Sequence, residues 1–440
     1  MTQTPNKLLP SITALSMLVG GSLVALPVLT QAAEPLELEF TYVAPRQQSQ
    51  VAFVPFAGDS TISPVVLSDL SKSELKATSQ NLPQQPHSSG ELAGTLPIWQ
   101  QTAIPYLVVG GTRSNKGSVV TDYEVIDLKT GRIIGGKQTL TSKSDASSLR
   151  YAGHVIADKV YELITGIPGD FSGKIAYVEE TGSAKDKTSQ IKVMDADGQN
   201  SRAVTPPIKG SIFSPTWSPD ARKLAFTVQT PKAYPILFIQ DIDGGAPRAI
   251  AKFAGSNISP SFSPDGSSIL FSSSFEGSPD IYRVSTAGGT PQKIIGTPYR
   301  DIQPSYAPDG NSFLYVSDPK GENHPQIFSY NFATGTSTPV SRTGYATSPQ
   351  YNKDGTQIAF LNGRSAAIMN TAGAIVTSIG NTGIDESASF SPNGKRIIYA
   401  SKQGNRGVLT IKSLNGGETF SLGGAPNTTL RAPVWSSNPK

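Results

Sequence analysis

The sequence predicts a mixed fold, with an N-terminal α/β domain followed by a six-bladed, all-β propeller. The main observation is a short phrase that returns along the second half of the chain: an aromatic residue, Ser-Pro-Asp-Gly or a close variant, and then a short apolar strand. The second residues of its copies are spaced 45, 44, 45, 39 and 45 apart; they are residues 218, 263, 307, 352, 391 and 436. A period of roughly 40 to 50 residues built from short strands is typical of a propeller.

The repeat also predicts how the ring closes. Pro-Asp-Gly favours a tight turn, so each copy is a hairpin between two strands of one blade. The sixth copy, at Trp435, has no strand after it, whereas the matching strand Gly173–Tyr177 opens the repeat region without a phrase of its own. We expect this strand to pair with Trp435 and its neighbours and so remove the open sheet edge. The 268 residues from Gly173 to Lys440 then supply six blades of about 45 residues each.

Composition narrows the function classes. The 440 residues carry a net charge of only +4 and no long basic run, which argues against a dedicated nucleic-acid surface. There is no cysteine, so thiol chemistry, disulfides and cysteine-based zinc sites are excluded. The 42 glycines and 34 prolines fit a turn-rich globular protein.

Residues 1–33 are expected to be a secretory signal peptide. Lys7 precedes an apolar run from Ile12 to Leu29, and small residues follow at Ala32 and Ala33. A positive start, an apolar middle and a small-residue cleavage site define such a signal. A membrane anchor is the alternative, which Pro27 and the small residues disfavour. The sequence therefore predicts export.

Residues 34–166 are expected to form the α/β domain, 167–172 a linker and 173–440 the propeller. The domain pattern is strand, helix, strand, hairpin and helix. Ser63 and Pro64 are expected to begin the first helix, which continues to about Leu75. Asp145 or Ser147 is expected to begin the long second helix, which ends at Gly166.

The mature N-terminal tail, residues 34–42, alternates apolar and polar side chains and is expected to be extended. Two roles remain open. The tail can form a strand of its own domain, or it can add to the sheet edge of a partner.

In the propeller, we expect the loops that enter the innermost strands to ring one mouth of the channel. These loops vary from blade to blade while the turn phrase stays constant, which is how a propeller presents a binding face. No catalytic set is evident: the three histidines are scattered and no Gly-x-Ser-x-Gly or phosphate-binding loop exists. The sequence predicts no cofactor and no metal.

The chain resembles the TolB family of periplasmic propeller proteins in the Tol-Pal system of Gram-negative envelopes. The resemblance rests on the repeated turn phrases, on Leu149-Arg150-Tyr151-Ala152-Gly153-His154 leading to Gly166, and on the strand Lys174–Val178. It implies a binding protein without catalysis. It also implies that the propeller mouth docks the lipoprotein Pal, that the tail contacts TolA, and that the complex supports outer-membrane integrity and constriction at division.

The resemblance also assigns candidate residues. The mouth set is Asn257, Ile302, Gln303, Asp385 and Glu386. The tail set is Glu34, Leu36, Glu37 and Leu38. A domain interface set, Arg150, Tyr151 and His154, follows instead from the position of these polar residues on the long helix near the linker. Two positions depart from the family pattern: Gln303 stands where a Glu is common, and Ser256 where a His occurs. The interface set is expected to make structural contacts; alternatively, it is the joint through which the tail and the mouth communicate.

Two other functions remain open at this stage. One is a secreted propeller enzyme, a lyase or hydrolase acting on a cell-wall polymer, for which the channel candidates are Arg300, Asp301, Asp385 and Arg431. The other is a propeller that binds a different outer-membrane or peptidoglycan-associated protein.

Overall fold

The computed structural model describes residues 38–40, 50–183, 185–321, 323–342, 344–382, 388–404 and 406–438. It confirms a mixed fold in which an α/β layer precedes a β-propeller. The signal peptide predicted at residues 1–33 lies outside the described residues. The described part of the tail forms strand β1, Leu38–Phe40.

The α/β layer is one mixed sheet covered by helices. Its strands are ordered β2-β3-β4-β5, with β2 parallel to β3 and the other pairs antiparallel. The two longer helices pack against each other, and their apolar side chains share one buried core with the sheet. The elements in chain order are β2 (Val51–Phe53), α1 (Ile62–Lys72), α2 (Ser89–Leu92), α3 (Leu96–Gln100), β3 (Tyr106–Asn115), β4 (Ser118–Asp127), β5 (Arg132–Lys143) and α4 (Ala146–Thr165).

The ends of the helices follow local chemistry. The Asp145 carboxylate accepts the N–H of Ser148 at 2.9 Å, and α4 ends at Gly166 in the left-handed region, as expected. The predicted cap of α1 was wrong. Asp59 accepts the N–H groups at the start of that helix, whereas the Ser63 hydroxyl accepts the N–H of Phe56 at 2.8 Å. A carboxylate with two oxygens satisfies several unpaired donors, which a single hydroxyl does not.

The propeller consists of six sheets in the described residues, numbered blades 1 to 6 in chain order. Blade 1 contains β6 (Lys174–Thr181), β7 (Thr188–Asp195), β8 (Arg202–Ala203) and β9 (Ile208–Lys209). Blade 2 contains β10 (Ser211–Trp217), β11 (Lys223–Gln229), β12 (Ile236–Asp241) and β13 (Arg248–Ala251). Blade 3 contains β14 (Asn257–Phe262), β15 (Ser268–Ser273), β16 (Asp280–Ser285) and β17 (Gln292–Ile295).

The remaining blades follow the same antiparallel pattern. Blade 4 contains β18 (Asp301–Tyr306), β19 (Ser312–Ser317), β20 (Gln326–Asn331) and β21 (Thr336–Pro339). Blade 5 contains β22 (Ala346–Tyr351), β23 (Gln357–Asn362), β24 (Ser365–Asn370) and β25 (Ile375–Asn381). Blade 6 contains β26 (Ser389–Phe390), β27 (Arg396–Gln403), β28 (Arg406–Ser413) and β29 (Thr419–Leu422). The last strand is β30 (Thr428–Trp435).

The ring closes as predicted. Strand β30 pairs antiparallel with β6, with Trp435 opposite Ile175. The backbone N–H of Ser436 donates to the carbonyl of Lys174 at 2.8 Å, and the Lys174 N–H donates to the Ser436 hydroxyl at 2.9 Å. The first blade is therefore completed by the last strand, so the two ends of the repeat region are bonded to each other.

The tail strand has a partner that the sequence did not indicate. Strand β1 pairs antiparallel with β29, the outermost strand of blade 6, and places Leu38 opposite Leu422. The expectation of an extended strand holds for residues 38–40, but the strand joins the propeller and not the α/β sheet. It supplies hydrogen-bond partners to a blade edge that otherwise stays open.

Candidate partner-binding site

The channel of the propeller is built from a repeated irregularity in the innermost strands. Five of the described inner strands contain a residue followed by proline, and the ladder register shifts there. The residue before the proline has a positive φ of 47 to 56° in each case; these residues are Ser214, Ser259, Gln303, Ser348 and Ala432. A proline cannot donate to the ladder, so a bulge is the arrangement that accommodates it. The bulges line a channel cavity of about 260 Å³.

Gln303 links two blades within this channel. Its side-chain carbonyl accepts the Ser348 N–H at 2.8 Å, and its amide group donates to the Ser348 hydroxyl at 3.1 Å. Its own backbone N–H donates to the hydroxyl of Ser272 in blade 3 at 3.0 Å. The residue thus connects blades 3, 4 and 5 while it lines the cavity. Ile302 beside it is half-buried and packs against the core between blades 4 and 5.

Asn257 lies beneath the mouth and is fully buried. Its side-chain amide donates to the carbonyls of Pro235 at 3.0 Å and Phe253 at 2.8 Å, and its side-chain oxygen accepts the Ser273 hydroxyl at 3.0 Å. This side chain therefore holds two mouth loops together and presents no surface of its own. Sequence position alone did not distinguish such a tie from an exposed contact.

The other predicted contacts fall partly outside the described residues. Asp385 and Glu386 of the mouth set and Glu34, Leu36 and Glu37 of the tail set lie there. Leu38 is in β1, opposite Leu422 of blade 6.

The predicted interface residues meet the propeller through α4. The Arg150 guanidinium pairs with Asp195, at 3.2 Å from Nε to Oδ2, and with Asp197 in the turn that follows β7. His154 Nδ1 lies 2.6 Å from Asp69 Oδ2 in α1, and its Nε2 lies 3.6 Å from Asp195 Oδ2. The Lys174 ammonium lies 5.6 Å from the centre of the Tyr151 ring. All three helix residues thus lie against charged side chains of blade 1.

The carboxylates around His154 decide its charge. Burial opposes the imidazolium, but Asp69 and Asp195 outweigh it and raise the pKa of His154 to about 10. Burial also disfavours the charged form of Asp195, which by itself would raise its pKa. The neighbouring His154 and Lys174 outweigh this effect and hold the pKa of Asp195 well below its usual range. The nearest donor atoms of His154, Asp195 and Asp197 lie within 4.8 Å of one another, a spacing that could hold a metal ion. Because Arg150 and Lys174 already pair with these carboxylates and the imidazole is protonated, the cluster fits an ion-pair network better.

The linker is clamped against the propeller. Asp158 of α4 accepts the N–H of Phe171 at 2.6 Å and of Ser172 at 3.2 Å. Arg396 of blade 6 pairs with Asp170 at 2.5 Å. The sequence indicated a short linker but gave no signal for these partners, since Asp195, Asp197 and Arg396 stand in ordinary turn and strand positions.

The residues named for an enzymatic channel do not converge in the described structure. Asp301 is fully buried and accepts the N–H of Thr297 at 3.0 Å. Arg431 is buried in the closing blade, where it pairs with Glu180 at 2.6 Å. Arg300 is exposed on a mouth loop. The two buried groups hold the blades together, and Asp385 is outside the described residues.

Within the described ranges, no helix is both long and apolar enough to span a membrane.

The chain is similar to known proteins along most of its length. A family model for the TolB beta propeller domain matches residues 161–438. The Tol-Pal system protein TolB of Acinetobacter baylyi is 35% identical over 416 residues, covering 93% of this chain and 95% of that protein. The protein of the same name from Xylella fastidiosa strain M12 is 32% identical over 428 residues, covering 95% and 92%. The crystal structure of TolB from Acinetobacter baumannii matches with a TM-score of 0.78 and 33% identity, covering 92% of this chain and 99% of that one.

Proposed function

The chain belongs to the TolB family of Tol-Pal system proteins, and we propose that it is a periplasmic scaffold that docks the lipoprotein Pal at its propeller mouth. In this proposal the N-terminal tail contacts TolA, and the assembly supports outer-membrane integrity and constriction during division. The observation that carries the proposal is a closed ring with a constant frame of turns and a variable set of loops at one mouth.

The proposed mouth site combines contact and positioning residues. Gln303 lines the channel, Ile302 beside it packs against the core between blades 4 and 5, and Asn257 holds the neighbouring loops in place. Asp385 and Glu386 belong to the segment that leads into the first strand of blade 6. They are proposed to contact Pal through their carboxylates.

We propose action by binding without catalysis. Two of the residues considered for an enzymatic channel, Asp301 and Arg431, are buried and already engaged in hydrogen bonds or ion pairs within the blades. Groups held in this way position strands and are poorly placed to transfer protons to a substrate. The expected result is that the purified protein turns over no envelope polymer.

The tail is proposed to offer backbone edges to TolA. Among the described strands, β1 is the end strand of its sheet, and its second edge is proposed to accept an added strand. Location in the periplasm is proposed from the exported N-terminus predicted at residues 1–33 and from the Tol-Pal names of the relatives.

Calorimetry with the soluble domain of Pal tests the mouth assignment. The double variant Asp385→Lys/Glu386→Lys is expected to weaken Pal binding at least about tenfold, because paired charges at an interface are replaced by like charges. The matched control is Asp241→Lys/Asp243→Lys, which makes the same charge change at exposed positions at the end of the third strand of blade 2 and in the turn after it. Unchanged affinity of the mouth variant, with an intact fold, would remove these two residues from the site.

A second experiment addresses the tail. Pull-down of TolA with the full mature chain and with a chain lacking residues 34–42 is expected to lose TolA only in the shortened chain. Pal capture in the same samples is the control for folding. Retention of TolA by the shortened chain would contradict the tail assignment.

A further inference from the structure

The mouth carries exposed cations on several consecutive blades. In an antiparallel blade, the loop entering the first strand and the loop between the second and third strands leave the same edge. Lys232 lies in the second kind of loop, in blade 2. Lys252, Arg300 and Arg342 lie in loops that enter blades 3, 4 and 5. All four side chains are exposed, and we call them together the basic rim.

The charge of the basic rim is not neutralised by its surroundings. Among the described residues, none of these four cations has an ion pair within 4.0 Å. The nearby acid Glu276 is already paired with Lys293, at 2.6 Å. Asp318, on the matching loop of blade 4, is half-buried. The described residues of this arc therefore present net positive charge to an approaching molecule.

Exposed tyrosines stand on the same loops. Tyr234, Tyr299 and Tyr345 are 63%, 40% and 41% exposed. Tyr299 is adjacent to Arg300 in sequence, Tyr234 is two residues from Lys232, and Tyr345 is three residues from Arg342. Tyrosine and arginine are enriched in the centres of protein–protein interfaces, where the ring supplies contact area and the hydroxyl a hydrogen bond.

The loops are fixed to one another before any partner arrives. Asn257 bonds the carbonyl of Pro235, the last residue before the third strand of blade 2. The N–H of Asp301 donates to Pro279 at 2.8 Å, and the Ser278 hydroxyl donates to Tyr299 at 2.9 Å. The N–H of Ala346 donates to Pro325 at 2.9 Å in the next blade. Because these bonds join each loop to the next, the rim is a preformed surface and pays little ordering entropy on binding.

We propose that the basic rim, with its three tyrosines, docks an acidic patch of the folded protein partner on the side of the mouth formed by blades 2 to 5, whereas the contact proposed for Asp385 and Glu386 belongs to the side of blade 6. This inference rests on the proposed function and adds the chemistry of the surface that Pal must present. The rim charges attract the partner and accelerate association, and the tyrosine rings pack against its surface in the bound complex. The observations favour a protein over an anionic membrane because the cations alternate with aromatic contacts on a rigid ring.

Surface plasmon resonance with the soluble domain of Pal tests the rim. The rim variant is Arg300→Glu/Arg342→Glu. The control variant is Arg222→Glu/Lys353→Glu, which makes the same charge change at exposed positions in the turn phrases, at the opposite edge of the blades. The rim variant is expected to weaken affinity at least about tenfold, mainly through slower association, while the control stays within about twofold.

Salt and the tyrosines supply two further readouts. Raising NaCl from about 50 to about 300 mM is expected to slow association of the wild type and the control more than that of the rim variant. The variant Tyr299→Ala/Tyr345→Ala is expected to speed dissociation about tenfold without changing the salt dependence. Thermal melting of each variant confirms that the propeller is intact.

The outcomes separate the two proposals. Equal Pal binding by the wild type and the rim variant overturns the basic rim and leaves the mouth function standing. Lack of Pal binding by the wild type overturns both. If vesicles of phosphatidylglycerol and phosphatidylethanolamine bind the wild type but not the rim variant while Pal binding is unchanged, the rim serves a lipid surface and the inference is wrong.

Discussion

His154 Nδ1 lies 2.6 Å from Asp69 Oδ2, and the two side chains are 1% and 4% exposed. The opposite nitrogen of the ring faces Asp195 of blade 1 at 3.6 Å. Asp69 belongs to the α/β layer and Asp195 to the propeller, so one buried imidazolium lies between carboxylates of both. This buried imidazolium therefore adds to the ion pairs of Arg150 and Arg396, which also tie α4 and the linker to the propeller.

Replacement of His154 by Gln is expected to lower the free energy of unfolding by about 3 kcal/mol, because two buried carboxylates lose their shared cation. Urea unfolding of both proteins at neutral pH measures the difference. Lys159→Gln is the control on the same helix, since its pair with Glu162 is exposed and contributes under about 0.5 kcal/mol. A loss no larger than that of the control would show that the His154 bridge contributes little.

The same bridge predicts a dependence of stability on pH. The pKa of His154 is raised from its ordinary 6.5 to about 10 in the folded protein. A group whose pKa is higher when folded stabilises fully below its unfolded pKa, and that contribution is lost as pH rises through the folded value. The stability difference between wild type and His154→Gln should therefore be largest near pH 6 and shrink toward pH 10. A difference that is constant across this interval would contradict a charged His154.

Asp158 is a carboxylate whose stability contribution also falls as pH rises, because its pKa, like that of His154, is raised in the folded protein. Burial raises its pKa from 3.8 to about 7, although the N–H groups of Phe171 and Ser172 oppose that rise. Because the folded protein binds this proton more tightly, the contribution is full below the unfolded pKa and declines as pH rises to 7. Wild type should therefore lose stability relative to Asp158→Asn between about pH 4 and 7 and change little above that. Unfolding titrations of both proteins measure it, and parallel pH profiles would refute it.

Two substitutions of Gln303 separate the contribution of its side-chain hydrogen bonds to stability from that of its size. Gln303→Ala removes the acceptor of the Ser348 N–H and is expected to cost about 1 to 2 kcal/mol. Gln303→Glu keeps an acceptor for that N–H and allows the Ser348 hydroxyl to donate, so it should stay within about 0.5 kcal/mol of wild type. Differential scanning calorimetry compares the two. Equal destabilisation by both substitutions would mean that the bond to Ser348 does not hold blades 4 and 5 together.

Much of the fold could be predicted because the same short turn motif recurs along the propeller region. The Ser-Pro-Asp-Gly phrase determines a turn wherever it occurs, so its spacing determines the blade period. The closing pair of Trp435 with Ile175 followed from one unmatched strand at each end of the repeats. By contrast, the pairing of β1 with β29 joins segments nearly 400 residues apart, and alternation in the tail carries no information about its partner.

The candidate site was less predictable, for a physical reason. The position of Asn257 in a mouth loop follows from the repeat, but its burial depends on the carbonyls of two other loops. Likewise, Asp195 and Asp197 have the sequence of a solvated turn, and only the docking of α4 makes them partners of Arg150. Burial of polar groups is set by distant contacts, which a local pattern does not encode.

Ring closure supplies the final prediction, through Arg431 of β30 and Glu180 of β6. Their side chains pair at 2.6 Å, and both residues are buried. Burial raises the pKa of Glu180, but Arg431 and Lys187 outweigh it and hold the pKa below its ordinary value. A lowered pKa gives stability that is present above the unfolded value and lost as pH falls through the folded one, so closure should weaken in acid below about pH 4.5.

Arg431→Met leaves the Glu180 carboxylate buried with a weaker partner set and should cost about 3 to 5 kcal/mol at pH 7. The double variant Arg431→Met/Glu180→Gln removes the unpaired charge and should recover part of that loss. Urea unfolding at pH 7 and at pH 4 measures both effects. Equal instability of the single and double variants, with unchanged sensitivity to acid in both, would show that the pair does not hold the ring shut. Recovery of stability in the double variant would show that the loss came from the uncompensated charge of Glu180.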